Sequence, residues 1–175
     1  MRIPLLKVVL LLCFAATSAA AQVLPIPRED PQADRRRFRA ESLRGAQEAL
    51  IRWTAAWAGQ DARAAAALHT EAGHLLLPGQ TAPVQGARAI EQTLSAYLAQ
   101  AGPLSISLVD AEAGGNLVYM YGRYYYEPRP GVSDAAPPLT TGSYVAILQQ
   151  RGRDWRIRSL FFLAEPIGEA VESLP

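Results

Sequence analysis

The stretch from Leu117 to Glu127 holds five tyrosines and one arginine: Tyr119, Tyr121, Arg123, Tyr124, Tyr125 and Tyr126. Side chains alternate along a strand, so Tyr119, Tyr121, Arg123 and Tyr125 share one face. Met120, Gly122, Tyr124 and Tyr126 share the other. Phenols offer an apolar ring with a hydrogen-bonding tip, and a guanidinium grips carboxylate or phosphate. Two outcomes stand side by side. If Arg123 is buried it needs an anion, which a ligand acid would supply. Otherwise it pairs with Glu127 or Glu91, and the tyrosines pack against helices or another subunit. His69 and His74 lie five apart and are placed in different elements; without a third ligand they make a poor metal site. Asp110 and Glu112 fall on one strand face beside a Gly-Gly turn, where paired carboxylates do acid–base work or simply sit in solvent. Neither a phosphate-cradling glycine loop nor a nucleophile elbow is present.

These residues need elements to position them. Leu43, Ala46, Leu50, Trp53 and Trp57 recur at spacings of three and four, which predicts a helix over Glu41–Ala58 with both tryptophans on one face. Gly59 stops it, and Asp61 caps a short second helix through Leu68. His74–Leu77 reads as a short strand closed by Pro78-Gly79. Ile90, Leu94, Tyr97 and Leu98 stripe a third helix over Ala87–Ala101. The remainder is strand and turn: Leu104–Glu112, Leu117–Glu127, Thr141–Gln150 and Trp155–Ala164, with Trp155 in the core. Short turns make the strands antiparallel. Three helices before a meander predict an α+β fold, and helices across the concave side of a strongly curved sheet would leave a cone between the layers.

The chain of 175 residues is 50% hydrophobic and 19% charged, enough to bury one real core. Arg2 and Lys7 precede an apolar run, Val8–Ala16, followed by Ala19 and Ala21 in the pattern of a secretory cleavage site. The run is too short to span a membrane. Residues 1–21 therefore read as a signal peptide. Cleavage would remove Cys13, the only cysteine, and leave 15 arginines against 16 acids, with no field to draw nucleic acid or a membrane. Residues 22–40, with Pro25, Pro27 and Pro31, read as a flexible linker carrying the cluster Arg35, Arg36, Arg37 and Arg39. It is either a solvated lead-in or a docking patch. The domain is expected over 41–164 and a tail over 165–175.

Four stretches carry a family resemblance: Arg52–Asp61 with its two tryptophans, Ala67–Gly79 ending Leu77-Pro78-Gly79, Pro83–Ile90 with Gln85-Gly86, and Trp155-Arg156-Ile157-Arg158. Together they resemble the SnoaL-like, nuclear-transport-factor-two-like superfamily, and within it the secreted bacterial members of unknown function. The resemblance covers roughly Glu41–Ala164 and implies a cone-shaped roll. It also implies that Tyr121, Arg123 and Tyr125 face into the cone, joined by Arg158, Leu160 and Phe162 of the last strand and by Trp53 and Trp57. Ketosteroid isomerases of this superfamily use a first-helix tyrosine, an aspartate base before a turn and a second carboxyl on the fourth strand. Trp53, Leu77 and Val145 stand at those positions here, so that mechanism is not expected. Fold membership alone does not assign chemistry.

The leading expectation is an exported, periplasmic or extracellular, cofactor-free protein that takes a small, partly apolar molecule, with or without an acidic end, into its cone. Its ligand pocket would comprise Trp53, Trp57, Tyr121, Arg123, Tyr125, Arg158 and Phe162, with no metal. The alternatives are a cofactor-independent cyclase, isomerase or hydratase, and an interaction module dimerising through its sheet. Mass spectrometry of the mature protein is expected to find cleavage after Ala21, leaving Gln22 first. Met1 retained on a cytoplasmic protein would overturn this.

Overall fold

The computed structural model describes residues 30–128 and 140–165. The stretches expected as a signal peptide, as the linker up to position 29 and as the tail beyond position 165 lie outside the described residues. Helix α1 spans Pro31–Ala58, ten residues longer at its start than the periodicity predicts. The expected linker is corrected over 31–40. Pro31 sits in the first turn with φ pre-set, and the Asp30 side chain accepts from the Gln32 N–H at 2.9 Å, so the helix is capped there. Apolar periodicity could not reveal this stretch because all of it is exposed and packs on no core. The Arg35–Arg39 cluster lies on it, and Arg39 pairs with Glu112 at 2.8 Å. From Ser42 onward α1 buries Ala46, Ala49, Leu50, Trp53 and Trp57.

The Asp61 carboxylate caps α2, Ala62–Ala67, by accepting from the Ala64 N–H at 2.8 Å. Strand β1, His69–Leu76, follows, then the two-residue β2, Val84–Gln85, which the sequence did not announce. Helix α3, Ala87–Leu98, buries Ile90, Leu94 and Leu98 as its stripe predicts. Strands β3 (Ala101–Gly114), β4 (Leu117–Pro128), β5 (Thr140–Arg151) and β6 (Asp154–Ala164) form an antiparallel meander. Gly115 and Gly152 turn the first and last hairpins with φ of 57° and 62°, a region that favours glycine. The six strands run in the order β2-β1-β6-β5-β4-β3, with β1 and β6 parallel. The helices cover one face of the curved sheet, with α1 lying over β3 and β6 and α3 over β1.

The parity of β4 is the reverse of the expected one. Val118, Met120, Gly122, Tyr124 and Tyr126 face the helices and are buried, while Arg123 and Tyr125 face outward and Tyr121 is half-buried there. Hydrophobicity cannot choose between two tyrosine-bearing faces. The choice falls on Gly122 and Arg123. In β4 and β5, Gly122 lies opposite Tyr144 and Gly142 opposite Tyr124. A Cβ on Gly122 would stand 2.5 Å from the Tyr144 ring, and one on Gly142 would stand 2.7 Å from the Tyr124 ring. Each glycine makes room for the other strand's ring, which draws the even positions inward. The odd face keeps the Arg123 guanidinium in water, paired with Glu165, where burial would cost several kcal/mol.

Strand β6 is likewise off the expected pattern. Trp155, Ile157, Leu160 and Phe162 are buried, and the strand slips one residue between Ile157 and Ser159, so Arg158 points away from Phe162 into solvent. In β3 a slip between Leu108 and Asp110 has a related effect: Leu104 and Ile106 lean inward, then Ala111 and Ala113, and Asp110 and Glu112 stay exposed.

His69 and His74 share β1 rather than separate elements. His69 is 5% exposed, and neither ring nitrogen has a hydrogen-bond partner among the described residues. Burial lowers its pKa from 6.5 to about 4. The folded protein therefore holds a neutral imidazole where the unfolded chain takes a proton. Stability is full above pH 6.5 and is lost as pH falls toward 4, by ~2–3 kcal/mol at about pH 4.5. Urea unfolding at neutral pH and at about pH 4.5 should show this loss in the parent, and His69→Leu should lose less by that amount.

Candidate functional site

Seven rings meet between helices and sheet. Helix α1 contributes Trp53 and Trp57, one turn apart and 5.5 Å between ring centres. Phe162 of β6 stacks on Trp53 at 5.8 Å and meets Tyr124 edge-on at 5.1 Å. Tyr97 of α3 lies 5.7 Å from Trp57 and 5.9 Å from Tyr126, and Tyr144 flanks Phe162 at 6.3 Å. These separations are ordinary for packed aromatic pairs, so the inner end of the cone is filled by side chains.

The polar tips of these rings set the chemistry. Trp57 Nε1 donates to the Gly102 carbonyl at 3.0 Å. Trp53 Nε1 and the hydroxyls of Tyr97, Tyr124 and Tyr126 are buried without a partner among the described residues. Burial pushes the Tyr124 and Tyr144 phenols up to about 12. Burial, and then the neighbouring Tyr126, drives Tyr97 well above the usual phenol range. All three are neutral donors at ordinary pH and poor bases. A cavity of about 330 Å³, lined by Gln80, Thr93, Gln100 and Ala101, opens onto Tyr97 and Tyr126.

Of the residues expected to form the pocket, Trp53, Trp57 and Phe162 come together. Tyr121, Arg123, Tyr125 and Arg158 do not join them, because they lie on the outer face of the sheet. Tyr121 there shares a 3.2 Å hydrogen bond with Ser143. Their places inside are taken by Tyr124, Tyr126 and Tyr144. The signal that identifies these is the repeated Gly-x-Tyr at Gly122-Arg123-Tyr124 and Gly142-Ser143-Tyr144, legible only once the two strands are set in register. Tyr97 was legible as part of the α3 stripe, though not as a pocket residue.

Leu77 is buried and presents no proton acceptor; its N–H donates to the Gln80 side chain at 2.8 Å. Val145 faces outward, and the inward neighbour is Tyr144. Asp110 and Glu112 are solvated on the outer face. Among the described residues no three His, Cys, Asp or Glu side chains cluster in a way that could hold a metal. The interior can donate hydrogen bonds to a bound oxygen; among the described residues no carboxylate or imidazole belongs to the ring cluster, and the charge of Glu165 acts on Tyr124 from beside it.

Solved structures share the architecture. A ketosteroid isomerase-like protein from Erwinia carotovora superposes with a TM-score of 0.59 at 16% identity, covering 72% of this chain and 98% of that one. An NTF2-like protein of unknown function from Pseudomonas putida gives 0.56 at 16% identity over 73% and 89% of the two chains. A protein of unknown function from Mycobacterium tuberculosis gives 0.56 at 18% identity over 69% and 74%. At these identities the likeness is one of fold. No curated protein matches the chain. The SnoaL-like domain model matches residues 50–159, from the buried face of α1 to the outward step in β6, and the chain belongs to the SnoaL-like domain family.

Proposed function

We propose that this domain binds a small, largely apolar, uncharged molecule carrying a carbonyl or ether oxygen, at the end of the cone where the cavity meets Tyr97 and Tyr126. The observation that carries this reading is the pair of buried hydroxyls on the cavity wall, Tyr97 and Tyr126, which have at most each other to bond; Tyr124 and Trp53 Nε1, also unpartnered among the described residues, lie outside its lining. A buried hydroxyl left unmatched costs ~1–3 kcal/mol, which an acceptor oxygen in the cavity would recover. The volume of about 330 Å³ suits a compact ligand. The acidic end allowed for at first loses its partner in the cone, since Arg123 and Arg158 lie outside it. Binding rather than turnover is favoured because the phenols stay protonated and, among the described residues, the carboxylate that acts on them, Glu165, is held by Arg123. Export rests on the amino-terminal pattern alone.

Trp57, within 6.4 Å of both Tyr97 and Tyr126, makes tryptophan fluorescence the natural readout. Titration with a neutral aromatic ketone should quench it saturably, and the matching carboxylate should bind more weakly. Tyr126→Phe and Tyr97→Phe should each weaken the ketone by about three- to tenfold, the loss of one neutral hydrogen bond. A ketone that fails to bind at millimolar concentration, or binds both variants unchanged, defeats the reading.

A second reading has its own support. On the outer face Tyr119, Tyr125 and Leu163 are 41%, 40% and 50% exposed. Tyr121, Val145, Ile147 and Phe161 fill the cross-strand rows between them. This row of partly exposed apolar side chains, with the Arg123–Glu165 pair beside it, fits a second copy of the sheet packed face to face. Light scattering should return twice the monomer mass at about 50 µM, and Val145→Glu should raise the dimer dissociation constant by at least about tenfold. A monomer at that concentration excludes the patch as a stable homodimer interface.

A further inference from the structure

A second cavity, of about 760 Å³, lies away from the aromatic interior, where β1, β5 and β6 meet. Two register slips create it. Between His69, paired with Ile157, and His74, paired with Ser159, strand β1 carries four residues against the single Arg158 on β6. Against β5, Arg158 is itself the extra residue, because Ile157 pairs with Leu148 and Ser159 with Ile147. Arg158 is thus the bulged residue toward β5 and the single residue facing the four-residue bulge of β1. Bulges of this kind re-aim a side chain and concentrate near functional sites.

The lining is basic and polar. Arg151 and Arg156 join Arg158, with His74 and Gln149 beside them. Arg156 is partly engaged, donating to the Ala67 carbonyl and lying 3.6 Å from Asp154. Arg151 and Arg158 have no ion pair among the described residues, and the one carboxylate in the lining is Glu71. His69 also lines this cavity, 5% exposed and with both ring nitrogens unpartnered. That is an independent sign of a missing polar partner. No Phe, Tyr or Trp ring lines it, and its aliphatic side chains are limited to Ala72, so the lining is suited to a polar ligand.

We propose that this double-bulge cavity binds an acidic polyhydroxylated molecule of sugar size, its phosphoryl or carboxylate group held by Arg158 and Arg151 and its hydroxyls by Gln149 and His74. Guanidinium forks match such oxyanions. The cavity is several times too large for a lone ion and lies within the range of small-molecule sites. The site is separate from the aromatic cone and does not depend on the ligand proposed there.

Calorimetric titration of the purified protein at low salt tests this with glucose 6-phosphate, glucuronate, inorganic phosphate and glucose. Binding of at least one acidic sugar is expected, at least about tenfold tighter than glucose and than inorganic phosphate. Whether the phosphate or the carboxylate binds better identifies the acidic group. Arg158→Gln should weaken the acidic sugar by about tenfold or more, and Arg151→Gln should do so independently, with the melting temperature unchanged because both side chains are exposed. The Tyr126→Phe variant should bind the acidic sugar as the parent does. Equal binding of glucose and the acidic sugars, phosphate alone binding as tightly as glucose 6-phosphate, no binding by either acid, or full affinity in both arginine variants would each overturn the proposal.

Discussion

The structure turns on the exchange of rings between β4 and β5. Gly122 receives the Tyr144 ring and Gly142 receives the Tyr124 ring, in one register that admits no one-residue slip. A slip would carry every side chain of a strand to the opposite face and set Arg123 among aromatic rings. The Gly122 backbone also comes so close to the Ser107 carbonyl that a Cβ would stand 2.0 Å away, which ties β3 into the same arrangement. With the parity settled, Tyr124, Tyr126 and Tyr144 converge on Trp53, Trp57 and Phe162. The concave side of the sheet becomes a packed aromatic layer.

That layer separates two kinds of chemistry. Inside, aromatic groups present hydrogen-bond donors in a low-dielectric setting, and burial keeps the phenols protonated. Outside, Arg123, Arg151, Arg156 and Arg158 remain in or near water, where ion pairs such as Arg123–Glu165 contribute little stability and stay available for exchange. A single ligand uniting ring stacking with a guanidinium grip would have to pass through the sheet. The two faces therefore support two different ligands more readily than one.

Irregularities in the strands do as much as their regular parts. The slip in β3 solvates Asp110 and Glu112, and Glu112 then meets the extension of α1 in an exposed ion pair with Arg39. The slips at Arg158 open a polar cavity beside otherwise continuous pairing. Each costs a few ladder hydrogen bonds, and each places a charged side chain where regular pairing would have placed its neighbour.

The sequence by itself determined the order of the three helices, the strand after α2 and the four-strand meander, the buried stripes of α1 and α3, the caps at Gly59 and Asp61, and the α+β class. These follow from periodicity and local hydrogen bonding, both written in neighbouring residues. It also set Trp53 and Trp57 on one helix face, and the family resemblance placed Phe162 in the cone with them. The start of α1 was hidden because an exposed helix leaves no apolar period and its proline and arginines resemble a linker. Only the tertiary structure decided which face of β4 turns inward and where Arg158 points. A strand with tyrosines on both faces has no preferred side until a partner strand supplies glycines opposite them. A bulge is a mismatch between two chains in register, and no single stretch of sequence contains it.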